Sequence, residues 1–129
     1  MSDQTILLAE DDNMIRSFVC SVLQGHGYRV FPADNGLEAL HLAERVGACG
    51  IDLVLTDVDM PALNGIQLVR CLKQLRPDLK ILFMTGYRGA IVDELWDEGM
   101  VIQKPFSYPA LIRAVATCLA QEVSLPLRV

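Results

Sequence analysis

Five residues of the chain have side chains suited to joint chemistry, and each follows a short apolar run. Glu10 and Asp11 follow Thr5–Ala9, Asp57 follows Asp52–Thr56, Thr85 follows Lys80–Met84, and Lys104 stands just past Met100–Ile102. Three carboxylates brought together repel one another, and they partly neutralise by raised pKa unless a cation joins them. Oxygen ligands of this hardness favour Mg²⁺, which binds through one or two carboxylates and shares its remaining positions with water and phosphate oxygens. A lysine and a threonine hydroxyl beside such a site suit an anion with several acceptor oxygens. A carboxylate can be a nucleophile toward phosphorus, giving an aspartyl phosphate. The metal would neutralise charge on the transferring group while Lys104 and Thr85 hold its outer oxygens. The set therefore predicts phosphoryl transfer onto Asp57. Singly, each residue has an ordinary explanation: an aspartate can cap a helix, Lys-Pro suits a loop, and a terminal threonine reflects β propensity. The weight lies in five suitable residue types at the same end of four separate strands.

The elements that must carry these residues alternate strictly. The run ending at Asp57 is branched and apolar, and Met60-Pro61-Ala62-Leu63-Asn64-Gly65 follows as a loop. That is the pattern of a strand buried on both faces. The other strands are expected at Thr5–Ala9, Tyr28–Phe31, Lys80–Met84 and Met100–Ile102. Between them lie helical spacings. Ile15, Phe18, Val19, Val22 and Leu23 mark the first helix, with Asp11 or Asp12 as its cap. Asn35–Val46 is the second, with Leu37, Leu40 and Ala43 inward, and Ile66, Val69, Leu72 and Leu75 mark the third. A fourth is expected around Ala90–Asp97, with Ile91, Val92, Leu95 and Trp96 as its apolar face. The fifth follows Ser107, with Tyr108, Leu111, Ile112, Val115 and Leu119 inward. Five strand–helix repeats imply an α/β fold with a parallel sheet and right-handed crossovers. In such a sheet, residues just past the carboxyl ends converge on one rim, where ligands gather.

The totals agree. A chain of 129 residues, 52% apolar, suits one domain spanning 1–129, with a core from about residue 5 to residue 121. No apolar run approaches the length of a membrane span. The polar start Met-Ser-Asp-Gln-Thr reads as no signal peptide, so a cytoplasmic protein is expected. Cys20, Cys49, Cys71 and Cys118 form no CxxC pair and read as reduced thiols, and His26 and His41 are isolated. A net charge of −5 argues against direct nucleic-acid binding. Setting aside Glu10, Asp11, Asp12, Asp57 and Asp59 leaves 11 acidic and 11 basic residues, so the charge belongs to one site if those five meet.

Leu8-Ala9-Glu10-Asp11-Asp12, Leu55-Thr56-Asp57 with Met60-Pro61 and Asn64-Gly65, Met84-Thr85-Gly86 and Lys104-Pro105-Phe106 together resemble the receiver domain of two-component response regulators. The resemblance covers roughly Thr5 to Gln121. It implies a flavodoxin-like doubly wound sheet of order 2-1-3-4-5. It implies Asp57 as phosphoacceptor, with a histidine kinase or phosphotransfer protein as donor. Mg²⁺ is then held by Glu10, Asp11, Asp57 and the backbone carbonyl of Asp59. Thr85 contacts the phosphoryl group and Lys104 pairs with it, the peptide bond before Pro105 being cis. By the same resemblance the chain is a regulatory phosphoacceptor rather than an enzyme with a separate substrate. Its target would bind the face of the fourth helix, fifth strand and fifth helix.

The chain departs from that pattern at Val101, where a switch aromatic is usual, and in a short segment between Thr85 and Lys104. Tyr87 is expected to shield the phosphoryl group, and Tyr87, Arg88, Trp96 and Tyr108 are candidate contact residues. Four other readings fit parts of the pattern. The chain could be the receiver fragment of a hybrid kinase or of a DNA-binding regulator, or a pseudo-receiver that is never phosphorylated. Asp57-Val58-Asp59 also matches the DxD of haloacid-dehalogenase-type phosphatases, although those carry it on the first strand with a further late acidic pair.

Overall fold

The structure is a computed structural model that describes residues 4–86, 95 and 98–121. Among the described residues, five strands and four helices follow in chain order: β1 (Thr5–Ala9), α1 (Asn13–Gly25), β2 (Arg29–Ala33), α2 (Gly36–Val46), β3 (Leu53–Asp57), α3 (Gly65–Leu75), β4 (Lys80–Thr85), β5 (Met100–Gln103) and α4 (Tyr108–Ala120). A short 3₁₀ turn at Ala48–Gly50 joins α2 to β3. Of the helix expected around Ala90–Asp97 only Leu95 is described, and it is buried. The helix following Ser107 is therefore α4 here.

All four strand pairings are parallel, in the order β2-β1-β3-β4-β5. This is the doubly wound order in which the chain reverses direction beside β1. Register brings the strand ends level: Ala9 stands opposite Thr56, Asp57 opposite Met84, and Thr85 opposite Gln103. Successive side chains point to opposite faces, so each strand feeds two cores. Leu7, Ala9, Val54, Ile81 and Phe83 meet Ala39, Ala43, Leu68, Val69 and Leu72 from α2 and α3. Ile6, Leu8, Leu53, Leu55, Leu82 and Met84 meet Val19, Val22, Leu23, Leu111 and Val115 from α1 and α4. Burying a side chain of this size contributes about 1.5–3 kcal/mol.

Each helix starts on a polar cap. Asp12 is the cap of α1, its Oδ1 accepting from the amides of Met14 and Ile15 at 2.9 and 3.0 Å. Asn35 caps α2 through the Glu38 amide at 2.8 Å. At α3, Asn64 and Gln67 exchange side-chain and backbone bonds of 2.9 and 3.0 Å as a capping box. Ser107 accepts from the Ala110 amide at 3.2 Å to start α4.

Several inward assignments change. Strand β2 runs from Arg29 to Ala33, two residues beyond the expected Phe31, because an edge strand tolerates Pro32 without its N–H. Helix α2 buries the small residues Gly36, Ala39 and Ala43, and this turns Leu37 to solvent. The buried stripe of α3 is Gly65, Leu68, Val69 and Leu72, so Leu75, on the last residue, lies past the edge it covers. Phe18 and Tyr108 are also exposed, at 43% and 48%.

Candidate functional site

The rim at the carboxyl ends is built from backbone outward. Past β1, the Glu10 amide donates to the Ala33 carbonyl at 3.1 Å, holding Glu10 in the ladder one step beyond the strand. Past β5, the Lys104 amide donates to the Thr85 carbonyl at 2.8 Å and does the same for the lysine. Asp57 is the last residue of β3, and the chain then turns sharply, the Gly65 amide returning to the Val58 carbonyl at 2.9 Å. That turn requires glycine, since a Cβ on Gly65 would stand 2.1 Å from the Asp57 carbonyl oxygen. The Lys104–Pro105 peptide is cis.

Side chains then converge. Lys104 Nζ donates to Glu10 Oε1 at 2.7 Å and lies 3.3 Å from Asp57 Oδ2. The second oxygen of each carboxylate is also fixed. Glu10 Oε2 accepts from the Asp12 amide at 3.1 Å, and Asp57 Oδ1 accepts from the Val58 amide at 2.8 Å. Arg16 donates to the Glu10 carbonyl at 2.9 Å, tying the first turn of α1 to the same point. One oxygen each from Glu10, Asp11 and Asp57 lies within 4.8 Å of the others. Glu10 is fully buried, Asp57 half-buried and Asp11 exposed, so the cluster opens outward through Asp11.

Burial raises the pKa of Glu10, and its bonds to Lys104 and the Asp12 amide oppose that rise only in part. Burial likewise raises Asp57 against the pull of Lys104. For Lys104, burial works to lower the pKa, but the bond to Glu10 and the charge of Asp57 outweigh it, and the net shift is upward. Both carboxylates are thus held in a site that resists their charge. Among the described residues, the three carboxylates meet one ammonium group, that of Lys104, which leaves the cluster negative. A hard divalent cation fits that donor set in charge and in ligand type.

Glu10, Asp11, Asp57 and Lys104 meet at one point, and buried Thr85 joins them through its backbone bond to Lys104. Asp59 is exposed in the loop after β3. Val101 is half-buried opposite Phe83, packed against the core shared by α2 and α3. Tyr87, Arg88 and Trp96 lie outside the described residues. Tyr108 stands edge-on to His26 with ring centroids 5.5 Å apart.

Beside Lys104 lies an apolar surface that includes Phe18, whose spacing predicts an inward position. Ile15, Phe18, Lys104, Pro105 and Phe106 line an apolar groove of about 400 Å³. Met14, 82% exposed, stands one turn from Phe18 on the same helix. The sequence contained its signal. Met14, Ile15, Phe18, Val19, Val22 and Leu23 form an apolar stripe wider than one helix buries, and the excess row of Met14 and Phe18 faces solvent.

The family model for the response regulator receiver domain matches residues 6–116. The chain is 38% identical to the response regulator receiver protein CpdR of Brucella abortus, over 88% of this chain and 95% of that protein. It is 36% identical to the sensor kinase CckA of the same organism, over 92% of this chain but 13% of the kinase. In three dimensions it superposes on the crystal structure of a putative response regulator from Chloroflexus aurantiacus. The TM-score is 0.82 at 28% identity, covering 93% of this chain and all of that one. A five-stranded parallel sheet of order 2-1-3-4-5 with an acidic rim, matched over nearly its whole length by that family's model, places this chain in the response regulator receiver family of two-component systems.

Proposed function

We propose that this receiver is a phosphorylation-switched signalling domain in which Asp57 accepts a phosphoryl group from a phosphohistidine donor. The observation that carries the reading is the convergence of Glu10, Asp11, Asp57 and Lys104, from three strands, on one partly open cluster. The Val58 amide orients the Asp57 carboxylate. Asp57 attacks phosphorus, the P–N bond of the donor breaks, and the leaving imidazole keeps the electron pair. Lys104 balances charge on the new phosphoryl oxygens, with the Thr85 hydroxyl as a further donor. Glu10, Asp11, Asp57 and the Asp59 carbonyl are the ligands assigned to Mg²⁺, which supplies charge neutralisation for the transferring group. Glu10 sets the position of Lys104 through their 2.7 Å bond.

The apolar groove beside Lys104 supports a protein as donor, since a small phosphorylated molecule needs no such surface. A histidine kinase or a phosphotransfer protein fits this chemistry. Phosphorylation would bias a pre-existing equilibrium in the loop at Thr85, changing affinity for a protein target at the face of β5 and the helices flanking it. The role is regulatory, within one domain spanning 1–129. Among the described residues no helix is long and apolar enough to cross a membrane, and the net charge of −5 disfavours nucleic acid. A cytoplasmic location suits such a partner set.

The test is intact mass after incubation with acetyl phosphate and Mg²⁺. One added phosphoryl group, lost in Asp57→Asn and in EDTA, is the expected result. No adduct, combined with no binding of beryllofluoride, would make the chain a receiver fold that is not phosphorylated.

A further inference from the structure

The loop between Asp57 and α3 is held from two sides by glycines that begin helices. Asn35-Gly36 and Asn64-Gly65 are the same pair at the same place, an asparagine cap followed by the first helical residue. A Cβ on Gly65 would strike the Asp57 carbonyl, as described above. A Cβ on Gly36 would stand 1.9 Å from the Leu63 carbonyl oxygen, 2.7 Å from its carbon and 2.9 Å from the Leu63 Cβ. Gly36 is buried and helical, with no positive φ to demand glycine. What demands it is space.

The segment between these two contacts is strained. Ala62 has φ of 69°, and the Leu63 amide donates to the Pro61 carbonyl at 2.8 Å across it. A bond over two residues with positive φ at the centre is the rarer, strained form of γ-turn. Strain of this kind persists only where the surroundings over-determine the backbone. The α2 backbone at Gly36 abuts Leu63 at the far side of the turn, and the Gly65 backbone abuts Asp57 at the near side, so the turn is confined between two close backbone approaches. Asp59, whose carbonyl is assigned to Mg²⁺, lies between Asp57 and this turn.

We propose that Gly36, on a different helix from any site residue, is a positioning residue for the metal site. The absence of a side chain at Gly36 lets the α2 backbone hold Leu63, and through it the loop that carries the Asp59 carbonyl. This rests on the reading of the rim as a Mg²⁺ site. Gly36→Ala pushes the loop outward and misplaces that ligand, with no change in any residue that touches the ion.

The experiment measures Mg²⁺ affinity of the full chain by calorimetry, alongside thermal unfolding in metal-free buffer. Gly99→Ala is the comparator, because a Cβ there would meet the Ile81 Cβ at 2.6 Å, a less severe clash at the opposite end of the sheet. Gly36→Ala is expected to raise the Mg²⁺ Kd about tenfold, the scale of losing support around a ligand, whereas Gly99→Ala lowers the unfolding temperature and leaves Kd unchanged. If Gly36→Ala does not fold, Leu63→Gly frees the loop from the other side and should raise Kd in the same sense. A folded Gly36→Ala or Leu63→Gly chain with wild-type Kd overturns the proposal, as does an equal loss of affinity in Gly99→Ala. A wild-type chain that binds no Mg²⁺ overturns instead the reading on which the proposal rests.

Discussion

The two ends of the same sheet use charged residues in opposite ways. At the amino ends, charged side chains satisfy backbone groups. Asp52 Oδ2 accepts from the Thr5 amide at 2.7 Å, and Lys80 Nζ donates to the Leu119 carbonyl at 2.6 Å. Lys73 Nζ reaches the Glu98 carbonyl at 2.6 Å, and Arg76 donates to the carbonyl of Ile51. These bonds stitch strand starts to helix ends. At the carboxyl ends, Glu10, Asp11 and Asp57 gather around Lys104, and burial raises both Glu10 and Asp57. One end is built for stability; the other gives up stability to keep charge concentrated at one open point of the rim.

The largest effect should come from removing Lys104, the lysine that pairs with both Glu10 and Asp57. Lys104→Met leaves fully buried Glu10 without its partner, which should cost about 3 kcal/mol and abolish phosphoryl uptake. Denaturant unfolding with and without acetyl phosphate checks both. Next comes Asp52→Ala at the opposite end, expected to cost about 1.5 kcal/mol by leaving the Thr5 amide unpaired, yet to take up phosphoryl groups normally. Loss of uptake in Asp52→Ala would erase the division between the two ends. Asp57→Asn should run the other way in metal-free buffer, with equal or higher unfolding temperature, because it removes a carboxylate the site holds at a cost.

The smallest effect, and the sharpest, is in pH. Glu10 and Asp57 have folded pKa values above their unfolded ones, so the folded chain holds more protons between the two values. Stability therefore falls as pH rises from the ordinary carboxylate range through the raised values. Lys104 acts at the alkaline end: its raised pKa contributes stability below the ordinary value of 10.5, lost as pH climbs through the folded value. A cation that binds the ionised cluster reverses the first trend. The rise in unfolding temperature on adding Mg²⁺ should be larger at neutral pH than at pH about 5. Equal shifts at both pH values would contradict the electrostatic account of the rim.

Much of this was legible because parallel strands leave little freedom. Once five apolar runs alternate with helical spacings, the rim is fixed, and Glu10, Asp57, Thr85 and Lys104 must share it. Local spacing decided less. Asp11 and Asp12 both fit the cap of α1, and only the backbone geometry assigns Asp12. Phe18 obeys the inward period yet faces out, since α1 has more apolar residues than its contact with the sheet can cover. Leu37 yields to Ala39 and Ala43 because α2 packs its small side chains inward. The contact of Gly36 with Leu63 had no signal in the sequence, because it joins two segments whose approach depends on how α2 and the loop pack.

The most direct test of the central claim is to locate the phosphoryl group. Borohydride converts an acyl phosphate to the alcohol, so an aspartyl phosphate becomes homoserine. After treatment with acetyl phosphate and Mg²⁺, then borohydride, peptide sequencing by mass spectrometry should find homoserine at position 57 alone. Homoserine at Asp11 or Asp59 instead, or at no position in a chain that has gained a phosphoryl group, would contradict it.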